Sequence, residues 1–137
     1  KKGYPNTIIK DYEFWTLFLR EEQVTIGSLV LVYKEDIESF TQVSVQGFVE
    51  LRNVFIDVEK VLKAKFGYEK INYLGLMMVD KNVHLHIIPR YKRSIYFNLS
   101  EFKDYGWPKE PSLDKTNLIN EETFSKLLEL LNKLFNL

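Results

Sequence analysis

The stretch KNVHLHIIPRY, residues 81–91, contains both histidines of this 137-residue chain. A single apolar residue separates the two imidazoles, and side chains two positions apart lie on the same face of a β-strand. One face of such a strand would carry Asn82, His84, His86, Ile88 and Arg90. The other face would carry Val83, Leu85, Ile87 and Pro89. The segment therefore predicts a strand that packs its apolar face on the core and brings two histidines together on the opposite face.

The chemistry of the paired imidazoles allows three interpretations. They can be polar residues on the wet face of an antiparallel sheet, with no chemical role. They can bind zinc, although the chain has no cysteine and no further histidine, so that a carboxylate such as Asp80 or Asp36 would have to be the third ligand. They can be a nucleophile and its helper, because imidazole is nucleophilic near neutral pH and can accept a phosphoryl or nucleotidyl group. No motif fixes the spacing of a third metal ligand, and the first and third interpretations both stay open.

The segments around the histidines predict further strands. Residues 12–19 (YEFWTLFL) are rich in aromatic residues and precede the charged stretch REEQ, and residues 28–33 (SLVLVY) form a second β-favouring run. Residues 71–79 (INYLGLMMV) would pair with the histidine strand in a hairpin whose turn is residues 80–82. Residues 94–115 contain Gly106, Pro108 and Pro111, and predict a loop.

Two segments have the three- and four-residue apolar spacing of amphipathic helices. The first would begin after the N-cap Ser44 and end at Gly67, a residue suited to a left-handed C-cap. Its apolar stripe comprises Phe48, Leu51, Phe55, Val58 and Leu62. The second, residues 121–137, has a stripe of Phe124, Leu127, Leu128, Leu131 and Leu134. Strands, a long helix, more strands and a terminal helix predict an α+β fold with an antiparallel sheet.

Length, composition and charge indicate the class of protein. A chain of 137 residues fits one domain, which we expect to span residues 1–137. The 19 basic and 19 acidic residues balance, which argues against a surface for nucleic acid or for an anionic membrane. No apolar run approaches the ~20 residues of a membrane helix, and the first residues lack the apolar core of a signal peptide. We therefore expect a soluble, cytoplasmic protein.

Residues 82–91, NVHLHIIPRY, resemble the signature strand of the histidine triad (HIT) superfamily. That signature is His-φ-His-φ-His-φ-φ, where φ is apolar, and Pro-Arg often follows it. Asn82 stands where the first histidine of the triad normally lies. The segment from Gly27 resembles the second strand of the family, and Gly106-Trp107-Pro108 looks like a bacterial and archaeal branch. The resemblance covers the chain from about Tyr12 to Pro108.

The resemblance implies a five-stranded antiparallel sheet with helices on one side, usually in a homodimer. It implies hydrolysis or transfer of a nucleoside monophosphate from a phosphoanhydride or a phosphoramidate, without a metal or another cofactor. The middle histidine of the family forms the nucleotidyl intermediate, which assigns that role to His84, and the third contacts the phosphate, which assigns that role to His86. These two are the expected catalytic residues. The expected substrate-binding residues are Asn82, Arg90, Asn72 and Ser28.

The sequence departs from the family pattern at several places. Asn82 replaces the first triad histidine, Ser28 follows Gly27 where many members have a fourth histidine, and Arg20 falls near a position where Asn or Asp commonly binds ribose. The stretch MMVDK replaces a Gly-Gln phosphate loop. The family orients its nucleophile through the backbone carbonyl at the position of Asn82, so attack by His84 is compatible with the change. The resemblance thus leaves two functions open: a HIT-like nucleotide hydrolase or transferase, and a degenerate member that binds a nucleotide or a partner chain without turnover.

Overall fold

The computed structural model describes residues 6–137, which form one large sheet, a small hairpin and two α-helices. The elements in chain order are β1 (Ile8–Asp11), β2 (Trp15–Leu19), β3 (Leu29–Tyr33), α1 (Val45–Phe66), β4 (Lys70–Leu74), β5 (His84–Arg90), β6 (Ile95–Phe97), β7 (Ser100–Phe102) and α2 (Glu121–Phe135). Strands β1 to β5 form an antiparallel sheet in the order β1-β2-β3-β5-β4, and β6 pairs with β7. The predicted α+β fold with a five-stranded antiparallel sheet is confirmed.

The strand that contains the histidines lies between β3 and β4 in this sheet. Its alternation is the predicted one, because Val83, Leu85 and Ile87 belong to the main hydrophobic core. That core also contains the buried apolar side chains of both helices. The histidines therefore lie on the face of the sheet that is turned away from the helices.

Helix α1 begins and ends where the sequence predicts. The Ser44 hydroxyl accepts a hydrogen bond from the Gly47 amide at 2.9 Å, and Gly67 ends the helix with a φ of 64°. The predicted apolar stripe is wrong at Phe48, whose side chain is 44% exposed. Gly47 packs so closely on the sheet that an added Cβ would lie 3.0 Å from the Tyr33 ring. The helix face is therefore centred on this glycine and on the buried residues that follow it, Leu51, Val54, Val58, Leu62 and Phe66.

Several predicted boundaries differ from the structure. The predicted strand at residues 12–19 begins only at Trp15, because Tyr12 N–H bonds to Trp15 C=O in the tight turn that joins β2 to the unpredicted strand β1. The predicted strand at residues 71–79 ends at Leu74, and a loop continues to residue 83. This loop is not regular strand, since Met77 has a positive φ of 44°. Within the described residues, no helix combines the length and the apolar character that crossing a bilayer requires.

The hairpin of β6 and β7 lies inside the segment that was predicted to be a loop. Each strand has three residues, and their turn contains Asn98 and Leu99 with φ values of 50° and 64°. Such turns are usually signalled by glycine, which is absent here. Asn98 suits its positive φ, but without a glycine after it the segment was not predicted to be a hairpin.

Candidate functional site

The two histidines are neighbours on the face of the sheet opposite the helices. Residues in register across the strands form two adjacent rows: Thr16, Val32 and His84 in one, and Phe18, Val30, His86 and Leu74 in the next. The centroids of the two imidazole rings are 5.0 Å apart, and the rings meet edge to face at 85°. The sequence prediction that strand alternation brings these rings together is confirmed.

His84 has a fixed orientation. Its Nδ1 atom lies 2.6 Å from the backbone carbonyl oxygen of Asn82. A carbonyl oxygen can only accept, so Nδ1 carries the proton and Nε2 of the neutral ring has a free lone pair. This arrangement suits a nucleophile, and it needs only the backbone of Asn82.

His86 has the opposite tautomer because of Arg20. The Nε atom of Arg20 donates to Nδ1 of His86 at 3.5 Å, and a guanidinium can only donate. Nε2 of the neutral His86 ring therefore carries the proton. Arg20 is held in turn by the backbone carbonyl of Glu22 at 2.8 Å and by its carboxylate at 3.6 Å. The pair thus presents a lone pair on one ring and an N–H donor on the other.

The charge state of His86 follows from its surroundings. Burial, then the positive charge of Arg20, then His84, lower the pKa of His86 from 6.5 to about 4, against a smaller opposite effect of Asp80. His86 is therefore neutral at physiological pH. His84 is only 3% exposed whereas His86 is half-buried, so the pair is accessible to solvent mainly from the side of His86.

The lowered pKa of His86 predicts a loss of stability in acid. Between pH 6.5 and about 4 the unfolded chain binds a proton at His86 that the folded protein does not, so the free energy of unfolding falls as the pH falls through this window. Urea unfolding at pH 7 and pH 4.5 should show a larger loss for the wild type than for His86→Gln. Equal losses in the two proteins would contradict this account of His86.

The side chain of Asn82 has a structural contact. Its Nδ2 atom donates to the backbone carbonyl of Tyr33 at 3.2 Å, and its backbone N–H bonds to the carboxylate of Asp80 at 3.2 Å. These bonds fix the start of the histidine strand against β3. Asn82 therefore orients His84 through its backbone, while its amide connects two strands.

Arg90 and Asn72 lie on the same face of the sheet as the two histidines. They are held there by Asp104, a residue that the sequence analysis did not single out. The guanidinium of Arg90 binds the Asp104 carboxylate with two hydrogen bonds of 2.7 and 3.0 Å and donates to Oδ1 of Asn72 at 2.8 Å. The side chains of Arg90 and Asp104 are 4% and 1% exposed. A buried arginine requires an acidic partner, but the sequence does not show that Arg90 is buried or which carboxylate it meets. Arg90 therefore fixes Asn72 and the loop that follows β7.

Ser28 lies within a turn and not on an accessible surface. Its side chain is fully buried, and its hydroxyl donates to the Thr25 carbonyl at 2.7 Å and accepts from the Thr25 amide at 3.0 Å. The same turn contains Gln23, whose side-chain amide donates to the backbone carbonyls of Arg20 and Ser28. The turn between β2 and β3 thus positions Arg20 beside His86.

The zinc interpretation lacks a complete set of ligands. Among residues 6–137, no group of three or more His, Cys, Asp or Glu side chains is arranged to hold a metal ion. A structural zinc site has four protein ligands and a catalytic site three. Within the described part of the chain, the two imidazoles therefore have no third protein ligand with which to hold zinc.

Histidine triad proteins are among the solved structures that have a similar fold. The chain aligns over 93% of its length with a histidine triad (HIT) protein of Sinorhizobium meliloti at 21% identity, covering 87% of that chain with a TM-score of 0.73. A histidine triad protein of Marinobacter aquaeolei aligns over 98% of this chain and 93% of its own at 17% identity, with a TM-score of 0.74. A hypothetical histidine triad nucleotide-binding protein of Sulfolobus tokodaii aligns over 94% and 83% at 16% identity, with a TM-score of 0.68.

These comparisons concern the fold. No protein-family model and no curated protein sequence matches the chain. The chain has the fold of histidine triad proteins, which is the fold that the resemblance of residues 82–91 implies.

Proposed function

We propose that this protein is a HIT-like nucleotide hydrolase or transferase that acts through a nucleotidyl intermediate on His84. The observation that carries the proposal is the complementary pair of tautomers, with a free lone pair on Nε2 of His84 beside an N–H donor on His86. The fold of histidine triad proteins supports a nucleotide ligand. Fold alone does not specify an activity, so the chemistry of the pair carries the argument.

The reaction would proceed in two balanced steps. The Nε2 lone pair of His84 forms a bond to the α-phosphorus, the bond from that phosphorus to the leaving group breaks, and its electron pair departs with the leaving group. The imidazolium so formed keeps its Nδ1–H bond to the Asn82 carbonyl. Water, or another acceptor in a transferase, then attacks the phosphorus, the electron pair of the P–N bond returns to Nε2, and the acceptor proton passes to solvent.

His86 and Arg20 would stabilise the charge that develops in both steps. The Nε2–H group of His86 donates to a phosphate oxygen, and the positive charge of Arg20 lies directly behind it. Asn82, which stands in place of the first triad histidine, cannot carry a positive charge. Arg20 therefore provides the cation of this site.

Product analysis tests the proposal directly. The wild-type protein is incubated separately with diadenosine tetraphosphate and with adenosine 5′-phosphoramidate, and AMP release is followed by chromatography. Calorimetric titration with AMP measures binding independently. Release of AMP supports turnover. A protein that releases no AMP from either substrate and does not bind AMP would contradict the proposal.

A second candidate function is nucleotide binding without turnover. The loop that replaces the family's phosphate loop exposes apolar side chains, among them Met78 at 76% and Val79 at 101%. These side chains offer no donors to a phosphate. Binding of AMP without release of product would favour this function.

We also propose that the protein acts as a homodimer in the cytoplasm. Strand β4 is an edge of the five-stranded sheet, and an open edge favours pairing with another copy. Light scattering in solution should give twice the mass of the chain, and the mass of one chain would contradict the dimer.

Arg20→Ala is expected to lower kcat/KM by roughly 10- to 100-fold, because the positive charge behind His86 and the orientation of its ring are both lost. Removal of the neighbouring charge also raises the pKa of His86, so the acid limb of the kcat/KM profile should move to higher pH. Glu21→Ala, at the adjacent exposed position, is the matched control. An Arg20→Ala profile that keeps the wild-type acid limb would contradict this role.

A further inference from the structure

We propose that a crevice on the helix side of the sheet binds a single-chain amphiphile with an anionic head group. The crevice lies between residues 57–65 of α1 and the end of α2, with Lys10 of β1 at its edge, and we call it the helix crevice. Its ligand would carry a carboxylate or a phosphate at one end of an alkyl chain. Neither histidine lines the helix crevice, so the inference is independent of the proposed function.

The helix crevice has room for a small ligand and an apolar floor. Its volume is about 410 Å³, within the range of small-molecule sites. Its apolar lining consists of Val61, Ala64, Leu134, Phe135 and Leu137. Phe135 is 5% exposed, and Leu137 is 94% exposed. An alkyl chain that lies on these side chains would remove apolar surface of both the ligand and the protein from water.

Cations border this apolar lining on two sides. Lys60 and Lys65 line the crevice on either side of Val61 and Ala64, as the pitch of an α-helix requires. In the described part of the chain, the side chain of neither lysine has a hydrogen-bond or ion-pair partner. An unpaired surface lysine is ordinary. Two of them that border one apolar crevice, however, match the two parts of an anionic amphiphile.

The carboxylate in the lining already has partners. Oδ2 of Asp57 accepts a hydrogen bond from the Tyr12 hydroxyl at 2.8 Å, and the same oxygen lies 3.9 Å from Nζ of Lys10. Among the described residues that line the crevice, three ammonium groups, those of Lys10, Lys60 and Lys65, face this single carboxylate. The excess of positive charge favours an anionic head group and disfavours a cationic one.

The combination of charge and apolar surface distinguishes an amphiphile from simpler ligands. A small inorganic anion would contact only the ammonium groups, which are exposed and strongly hydrated, and would bind weakly. A neutral alkyl chain would contact only the apolar lining and leave the ammonium groups without a partner. An amphiphile uses both kinds of contact, so we expect it to bind more tightly than either.

Calorimetric titration of the whole protein tests this expectation with four probes, each kept below its micelle-forming concentration. Decanoate and decyl phosphate carry the two candidate head groups, and the stronger binder of the two identifies the head group that the site prefers. Decanol and inorganic phosphate are the controls, and each should bind at least about tenfold more weakly. In nitrogen-15 spectra, the amphiphile should shift the amide signals of Ala64 and Phe135 and leave that of His84 unchanged.

Substitutions locate the contacts. Lys60→Glu combined with Lys65→Glu should weaken the binding of decanoate at least about tenfold. Ala64→Trp, at an exposed position of α1, should fill the crevice and abolish binding while it keeps both lysines. Lys103→Glu combined with Lys115→Glu changes the net charge equally at exposed positions outside the crevice, and should keep the affinity. Circular dichroism verifies that each variant is folded.

Four results would each overturn the inference. The first is that neither decanoate nor decyl phosphate binds, and the second is that decanol binds as tightly as they do. The third is an equal loss of affinity in the two charge variants, because net charge and not the lysines of the crevice would then determine binding. The fourth is a set of shifted amide signals confined to the histidine face. None of these results bears on the nucleotidyl-histidine mechanism.

Discussion

Replacing His84 by asparagine should reduce the turnover of diadenosine tetraphosphate by at least about 10³-fold. The asparagine amide can still donate to the Asn82 carbonyl, which His84 Nδ1 contacts at 2.6 Å, but it has no counterpart of the Nε2 lone pair. The substitution thus removes the nucleophile with little change to its hydrogen bond. Steady-state kinetics measure the loss, and calorimetry with AMP measures binding.

Two controls show whether the loss of turnover comes from the missing nucleophile. His86→Asn should lose less activity, because His86 contributes hydrogen bonding and not a covalent bond. Circular dichroism and urea unfolding verify that both variants are folded. Turnover by His84→Asn within tenfold of the wild type would exclude His84 as the nucleophile.

Replacing Asp104 by alanine should cost about 3–5 kcal/mol of unfolding free energy, because it leaves the buried guanidinium of Arg90 without its counter-charge. The Asp104 carboxylate accepts two hydrogen bonds from Arg90 and one each from the backbone N–H groups of Tyr91 and Gly106. Its loss also frees the loop that follows β7, where the Gly106 amide donates to Asp104. Urea unfolding monitored by tryptophan fluorescence measures the effect.

A surface ion pair provides the matched comparison. Glu122 and Lys126 form an i,i+4 pair at 3.2 Å whose side chains are largely exposed. Glu122→Ala should change the stability by about 0.5 kcal/mol or less. If Asp104→Ala costs no more than Glu122→Ala, burial does not make the Arg90–Asp104 pair important to the fold.

Much of the architecture could be predicted because its signals are local. Ser44 and Gly67 bound α1 by capping chemistry that involves only their neighbours along the chain. The alternation from Val83 to Ile87 assigns each side chain to a face without knowledge of the other strands. These local patterns were sufficient to predict that His84 and His86 lie next to each other.

The remainder depends on contacts between residues distant in sequence. Arg20 meets His86 only because β2, β3 and β5 are neighbours in the sheet, with Phe18, Val30 and His86 in register. The β6–β7 hairpin separates Arg90 from Asp104 in the chain, and the turn of this hairpin contains no glycine that would have predicted it. The exposed position of Phe48 likewise depends on how closely α1 approaches the sheet. None of these features has a local sequence pattern.

Detection of a covalent nucleotidyl adduct on His84 tests the central claim most directly. The wild-type protein is mixed with diadenosine tetraphosphate, quenched in alkali within its first turnover and analysed by intact-protein and peptide mass spectrometry. The account predicts an increase in mass of one adenylyl group, located on the peptide that contains His84 and absent from His84→Asn. An adduct on another residue, or one that persists in His84→Asn, would contradict it.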